Sequence, residues 1–267
     1  QLVYDPNFIV REKAAESTGQ IKDHKLRDNL IKKLILHHDP IVRKGTAIAA
    51  LNMHDSQERI NVFKKLVRDN NHFVSKTAAS SAGKIDDSKQ AILLIRSLIK
   101  NPKEYVRTLA AESAGNIKNP KLRDNFIEEL SNSFDFNVRK GAAKAAAEMF
   151  DQKRAENIIR KLTKDEDPEV RESVAESLCL MKNVKLRDEI TEILEKDSDS
   201  FVKDEVIRAK AYMGLRQELT GGNNGTFTLK VSDHKRLIGE KSVNYNNEEN
   251  IFSRLFSAFQ SITKDYK

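Results

Sequence analysis

Apolar positions along the chain repeat with two periods, one of 3.6 residues and one of 32. In Asn101–Ile117, Val106, Ala110, Ala111, Ala114 and Ile117 fall at i, i+4, i+5, i+8 and i+11, a single stripe along a helix. The stripe is mostly alanine, so the helix can approach its neighbours closely but buries little area alone. Copies supply what it lacks. Val10, Val42, Val74, Val106, Val138, Val170 and Val202 are spaced by 32 residues without a slip. A leucine stands eight residues before each valine: Leu2, Leu34, Leu66, Leu98, Leu130, Leu162 and Leu194.

Each unit reads as two helices. The first is clearest at Lys25–Leu36, Lys121–Ser131 and Lys185–Glu195, with Leu26, Leu30, Ile31 and Leu34 at helical spacing. A turn follows, best seen at Asp39-Pro40 and Asp167-Pro168, where Asp suits the N-cap and Pro the first helical position. The second helix carries the valine–alanine stripe and ends near Gly19, Gly83 or Gly115, or at Met53, Met149, Met181 and Met213. Leu2-Val3-Tyr4 aligns with the end of a first helix, so the chain opens inside a repeat and six complete units follow. Stacked units of this kind predict an all-α solenoid of about seven repeats over residues 1–219. Second helices are expected on the concave face, along a rod or arc of roughly 60–70 Å. In the last copy Ile207 and Lys210 replace alanines, as a terminal repeat or a docking place for the tail would require.

The pattern stops at residue 220. Residues 220–250 read as a flexible linker, Gly-rich at its start, with one short strand over Thr226–Val231 and a polar loop from Asp233 to Asn250. Residues 251–267 form a predicted amphipathic C-terminal helix with Ile251, Phe252, Leu255, Phe256, Phe259 and Ile262 on one side. Two uses compete for that face: a cap over the last repeat, or a docking helix in which Phe252, Phe256 and Phe259 meet a partner. Attachment to a membrane surface is the third.

Composition narrows the classes of function. Of 267 residues 33% are charged, Trp is absent and the mean hydropathy is −0.60, the profile of a highly solvated helical protein without a transmembrane run. Cys179 is the only cysteine; it sits at the small-residue position of its repeat and reads as a packed thiol. No secretory signal pattern opens the chain, and the expected location is cytoplasmic. The net charge of +7 favours acidic partners, but no dense basic patch is visible, so nucleic acid is not the favoured partner. Phosphate-binding glycine loops are absent. His24, His37, His38, His54, His72 and His234 do not recur at one repeat position, and His37-His38 reads as a solvated pair at a helix end. Neighbouring carboxylates such as Glu128-Glu129 lie on polar faces. The sequence thus offers no catalytic, cofactor-binding or metal-ligating residues.

The D-P-x-V-R run at Asp167, Pro168, Val170 and Arg171, with Arg107, Ala110, Ala111, Gly115 and Ile117 in another copy, resembles the short HEAT-like repeats associated with phycobilisome lyases. The resemblance covers roughly residues 1–216. It implies a ladder between units, built from an Asp six residues before an Arg or Lys: Asp5/Arg11, Asp165/Arg171 and Asp197/Lys203, with Asn101 before Arg107. Ser75 interrupts the basic column, and His37 and Ser133 stand where Arg43 and Arg139 would have their acid, so the ladder is expected to break there. One reading of Arg11, Arg43, Arg107, Arg139, Arg171 and Lys203 is structural pairing; the other is a basic line that receives acidic groups of a protein partner. The leading expectation is a non-enzymatic protein-binding scaffold or adaptor using the concave face. The resemblance also allows a phycobilin-lyase-like chromophore-attachment subunit, or a nucleic-acid-binding HEAT-like protein.

Overall fold

The computed structural model describes residues 1–219, 226–233 and 236–244. Helices alternate as the 32-residue period requires: α1 (Phe8–Ser17), α2 (His24–Leu34), α3 (Pro40–Ala49), α4 (Ser56–Leu66), α5 (His72–Ser81), α6 (Ser88–Leu98) and α7 (Glu104–Glu112). They continue through α8 (Pro120–Ser131), α9 (Phe136–Ala146), α10 (Gln152–Leu162), α11 (Pro168–Ser177), α12 (Val184–Leu194) and α13 (Ser200–Leu219). Odd numbers are the second helices of their repeats. Local chemistry starts them where the sequence places the turns. Asp39 accepts Ile41 N–H at 2.8 Å and Asp167 accepts Glu169 N–H at 2.9 Å, each satisfying a donor that has no partner within its helix. Only α7 among the shorter helices lacks such a side-chain cap, because Lys103 stands at its N-cap.

The two helical layers differ in how closely they stack. Second helices pack directly on one another, while first helices touch mainly across side chains, so the second-helix layer forms the shorter, inner arc. Its composition is the cause. Val42, Val74, Val106, Val170 and Val202 are completely buried, as are Ala47, Ala79, Ala111 and Ala143, all at one position of the repeat. Small side chains let backbones meet and the close-packed interior then holds dispersion contacts that no single helix could collect. Gly45, Gly83 and Gly141 show how close: a Cβ on Gly83 would lie 1.7 Å from the Ser113 carbonyl oxygen. A Cβ on Gly141 would lie 2.3 Å from the Thr108 carbonyl oxygen and 2.5 Å from Ala111 Cβ; on Gly45, 2.3 Å from the Glu12 carbonyl oxygen. The α1/α3 and α7/α9 helices are therefore packed closely along their length, while α5 and α7 meet most closely just past their C-terminal ends, at Gly83 and Ser113. Larger residues, including Ile31, Phe63, Leu66, Leu94, Ile95 and Ile127, fill the wedge between layers, each removing about 1.5–3 kcal/mol of apolar exposure.

Beyond α13 the chain forms β1 (Thr226–Asp233), as the alternation of Phe227, Leu229 and Val231 predicts. It pairs antiparallel with β2 (Arg236–Asn244), in register Phe227↔Val243, Leu229↔Lys241 and Val231↔Gly239, with an irregularity after Val231. The loop read over Asp233–Asn250 is thus corrected to a strand over much of its length. Gly239 and the intervening charges break the period-2 pattern of Arg236–Asn244, and its strand character comes from the partner. The amphipathic helix expected over 251–267, with Phe252, Phe256 and Phe259, lies outside the described residues.

Candidate interaction surfaces

The turns from first to second helix line up along one edge of the array, and the arginine column lies there. Arg43 Nε and Nη2 donate to Asp69 at 2.7 and 2.9 Å; Arg139 repeats this with Asp165 at 2.8 and 2.8 Å, and Arg171 with Asp197 at 2.7 and 2.9 Å. Each pair crosses from one repeat to the next. The remaining amine, Nη1, donates within its own repeat, from Arg171 to the carbonyls of Asp165 at 2.8 Å and Glu166 at 3.3 Å. An aspartate at this position therefore gives its carbonyl to its own arginine and its carboxylate to the preceding one. The planar guanidinium, with five donors in fixed directions, can serve both at once.

The expected breaks at His37 and Ser133 are closed by another residue. Arg11 reaches Asp39 at 2.5 Å and Arg107 reaches Asp135 at 2.5 Å, the N-cap aspartates two residues further on. What the position before them must supply is an acceptor for the N–H two residues on. Asp5, Asp69, Asn101, Asp165 and Asp197 do so, Ser133 accepts from Asp135 N–H at 3.2 Å, and His37 Nδ1 accepts from Asp39 N–H at 3.1 Å. This places His37 in a turn rather than in solvent, half-buried beside exposed His38, with ring centroids 4.4 Å apart. Burial, and then the neighbouring His38, push its pKa down, so it is neutral at physiological pH. Its Nε2 is buried with no hydrogen-bond partner among the described residues. The break at Ser75 stands: its hydroxyl meets Tyr105 Oη at 2.8 Å across α5/α7, and among the described residues no arginine ties that junction.

These pairings hold the carboxylates ionised. Arg171 beside Asp197 draws that pKa below the usual carboxylate value, and the Arg171 pKa rises in return. For Asp69, burial pushes upward but is outweighed by the bonds from Arg43 and Asn71 N–H. The ladder arginines Arg11, Arg43, Arg107, Arg139 and Arg171 thus each pair with an aspartate of the next repeat. No ion pair of the Lys203 side chain is seen among the described residues.

A second polar row runs along the inner layer. At the position six residues after each valine stand Glu16, Ile48, Ser80, Glu112, Lys144, Glu176 and Arg208, alternating in sign over the last four. Lys144 Nζ lies 2.6 Å from Glu176, and Lys44 lies 2.8 Å from Glu12 one turn away. Burial raises the pKa values of Glu112, Glu172 and Glu205. Part of the variation between copies is therefore self-complementary charge. Between these ends, Ile48, Lys76, Thr77, Ser80 and Leu109 form a neutral to basic stretch without ion pairs among the described residues.

Two open clefts lie between successive turns of the edge, on either side of His37-His38. One, about 490 Å³, is lined by Tyr4, Arg11, Asp39 and Pro40 among others; the second, about 390 Å³, by Leu36, Arg43, Arg68 and Asn70. Among the described residues no group of three His, Cys, Asp or Glu side chains converges as a metal site would. Cys179 is half-buried, its thiol 3.5 Å from the Glu176 carbonyl.

The model for HEAT repeats matches residues 1–83, 29–115 and 123–211, three overlapping or adjoining stretches that together span most of the array. The chain belongs to the HEAT repeat family. Among solved structures, this HEAT repeat chain is similar to YibA of E. coli, with 18% identity over 78% of this chain and 77% of that one, at a TM-score of 0.43. Human deoxyhypusine hydroxylase in complex with glycerol aligns at 13% identity over 80% and 82%, TM-score 0.36. An archaeal HEAT-like repeats protein from Thermococcus onnurineus NA1 aligns at 18% over 78% and 97%, TM-score 0.37. No curated protein matches the sequence. No helix among the described residues is long and apolar enough to cross a membrane.

Proposed function

We propose that this HEAT repeat chain is a protein-binding scaffold whose inner layer receives a partner. The observation that carries the reading is the middle of that layer. Ile48, Lys76 and Thr77 sit on the capped helices α3 and α5 without ion pairs among the described residues, the Ser80 hydroxyl bonds only the Thr77 carbonyl of its own helix at 3.3 Å, and Leu109 packs partly against the core while its remaining surface faces outward. Fixed backbone beneath variable, unpaired side chains is what recognition of one irregular surface requires, and an extended face of several helices suits a macromolecule better than a small ligand, which needs an enclosed pocket. The arginine column supports the scaffold from its edge; the binding residues are those that the array leaves unused.

The test is capture with the intact chain, followed by cross-linking and mass spectrometry, comparing wild type with Ile48→Glu/Ser80→Glu. Both positions face outward from the packed alanines, so the melt should hold while cross-links to partners over α3–α7 disappear. Cross-links that persist there at wild-type yield would refute the inner layer as the binding face. A cytoplasmic setting is proposed with this role, since a single cysteine suits a reducing compartment.

A further inference from the structure

The edge that carries the arginine ladder also carries a second basic column that the array does not use. Arg68, Lys100, Lys164 and Lys196 occupy one position of four repeats, two residues after the ends of α4, α6, α10 and α12. All four are exposed, and none forms an ion pair among the described residues. Cations after a helix C-terminus are favoured by the helix dipole, which accounts for each singly. The dipole does not account for what surrounds them. The acids alongside, Asp69, Asp165 and Asp197, are each neutralised by a ladder arginine and by the N–H two residues on, so they cannot serve the column. Where the column is interrupted, at Asn132, Phe134 stands fully exposed two residues on. Phe73, in the first turn of α5, is 68% exposed. Leu36 and Arg68 also line the cleft of about 390 Å³ between consecutive turns. The edge thus carries exposed cations with apolar steps, and the aspartate directly beside Arg68, Lys164 and Lys196 is in each case already paired, while Glu166 stays exposed near Lys164.

We infer that this edge docks an extended acidic segment of a partner protein, its carboxylates meeting Arg68, Lys100, Lys164 and Lys196 and an apolar residue resting on Phe134. The inference rests on the protein-binding reading and adds a second surface to it, with the partner's chemistry. Repeats stack about 8–10 Å apart, and an extended chain in the polyproline II conformation rises about 3.1 Å per residue with three residues per turn, so one repeat corresponds to three residues of ligand and every third side chain faces the edge. The matching pattern is an acid at every third position, with the central one replaced by an apolar residue. A polynucleotide is the competing occupant, and the spacing favours the peptide because consecutive phosphates lie closer than one repeat.

The experiment measures fluorescence anisotropy with the full chain and a thirteen-residue probe carrying Glu at positions 1, 4, 10 and 13, Leu at 7 and Ser elsewhere. A probe with the same composition but its four Glu adjacent, and an oligothymidylate of equal length, serve as comparisons. The expected result is binding of the spaced probe that weakens with salt and falls at least about tenfold in Arg68→Glu/Lys100→Glu/Lys164→Glu/Lys196→Glu, with an unchanged melt because all four side chains are exposed. Phe134→Ser should lose several-fold with the spaced probe alone. Equal affinity of wild type and the fourfold variant overturns the inference, as does tighter binding of the oligothymidylate or indifference to Glu spacing. Cellular capture separates the two readings. If the fourfold variant retains the wild-type partners, the edge is wrong and the inner-layer scaffold stands; if wild type itself captures no protein, the scaffold reading falls with it.

Discussion

Removing Arg171 tests how the repeats are held together. Its guanidinium bonds Asp197 at 2.7 and 2.9 Å with side-chain exposures of 13% and 9%, and its third amine holds the Asp165 carbonyl at 2.8 Å. Arg171→Ala leaves the Asp197 carboxylate nearly buried with one donor, Asp199 N–H at 2.9 Å. Stripping one partner from a buried pair costs about 3–5 kcal/mol; at the edge of the array, where water reaches the vacated space, the lower end, about 3 kcal/mol, is expected. Arg160→Ala provides the contrast, because Arg160 and Glu189 pair on the outer surface with 43% exposure each and should cost under about 1 kcal/mol. Since α12 and α13 lean only on the preceding repeat among the described helices, the loss should appear first as faster amide exchange in α13, before global unfolding. The pH dependence has a definite sign. Asp197 is held below its ordinary pKa by Arg171, so its contribution is complete above about pH 4 and is lost as pH falls through the folded value. Wild type and Arg171→Ala should therefore converge in stability in acid. A double-mutant cycle with Asp197→Ala decides the matter: costs that add to within about 0.5 kcal/mol would mean that the pair does not couple the repeats, and the ladder argument would fail.

The remaining predictions concern the inner layer. Gly141→Ala should lower stability by about 1–2 kcal/mol in chemical denaturation, because the clash with Thr108 and Ala111 exceeds the gain of about 1 kcal/mol in helix propensity. Gly115→Ala, whose Cβ would meet only Glu148 side-chain carbons at 3.2 Å and Ala145 Cα at 3.5 Å, should be near neutral. Ala111→Asp puts a charge at a completely buried position and should cost several kcal/mol; an unchanged thermal melt would contradict the stacking. Glu112→Gln should stabilise at pH 7, because burial raises the Glu112 pKa and the wild-type penalty grows as pH rises through and above the carboxylate range. That advantage should vanish below about pH 4, and equal stability of the two proteins at pH 7 would count against it.

The fold was readable from the chain because its signal is repeated. Seven valines at one spacing and alanines at fixed offsets specify the helix pair, its stacking face and the turn between them, and the structure buries them accordingly. Two things escaped. Gly45 and Gly141, three residues after their valines, look like weak points of a helix, and only the neighbouring backbone shows that they are places where a Cβ would clash with the adjacent helix. The second is the use of Asp39 and Asp135 in the ladder, which needs the reach of an arginine from another repeat. The interaction surface was less legible for the same reason. A column of identical residues such as Arg11, Arg43, Arg107, Arg139 and Arg171 looks like a site, whereas each guanidinium is paired with an aspartate of the chain itself. Unused side chains such as Lys76, Arg68 or Lys100 are recognised only once the pairs around them are known.

The two ways of closing the ladder bear on how its copies can diverge. In most repeats the helix cap and the receptor for the arginine are separate residues, Asp167 and Asp165 for instance, so each can drift while the other is retained. Where His37 and Ser133 have replaced the acid, Asp39 and Asp135 carry both duties. Those two aspartates have lost the redundancy of their counterparts. Duplicated units thus need not tolerate change equally: substitution freed at one site of a repeat is withdrawn from another, and the second and fifth turns are the ones where drift has the least room.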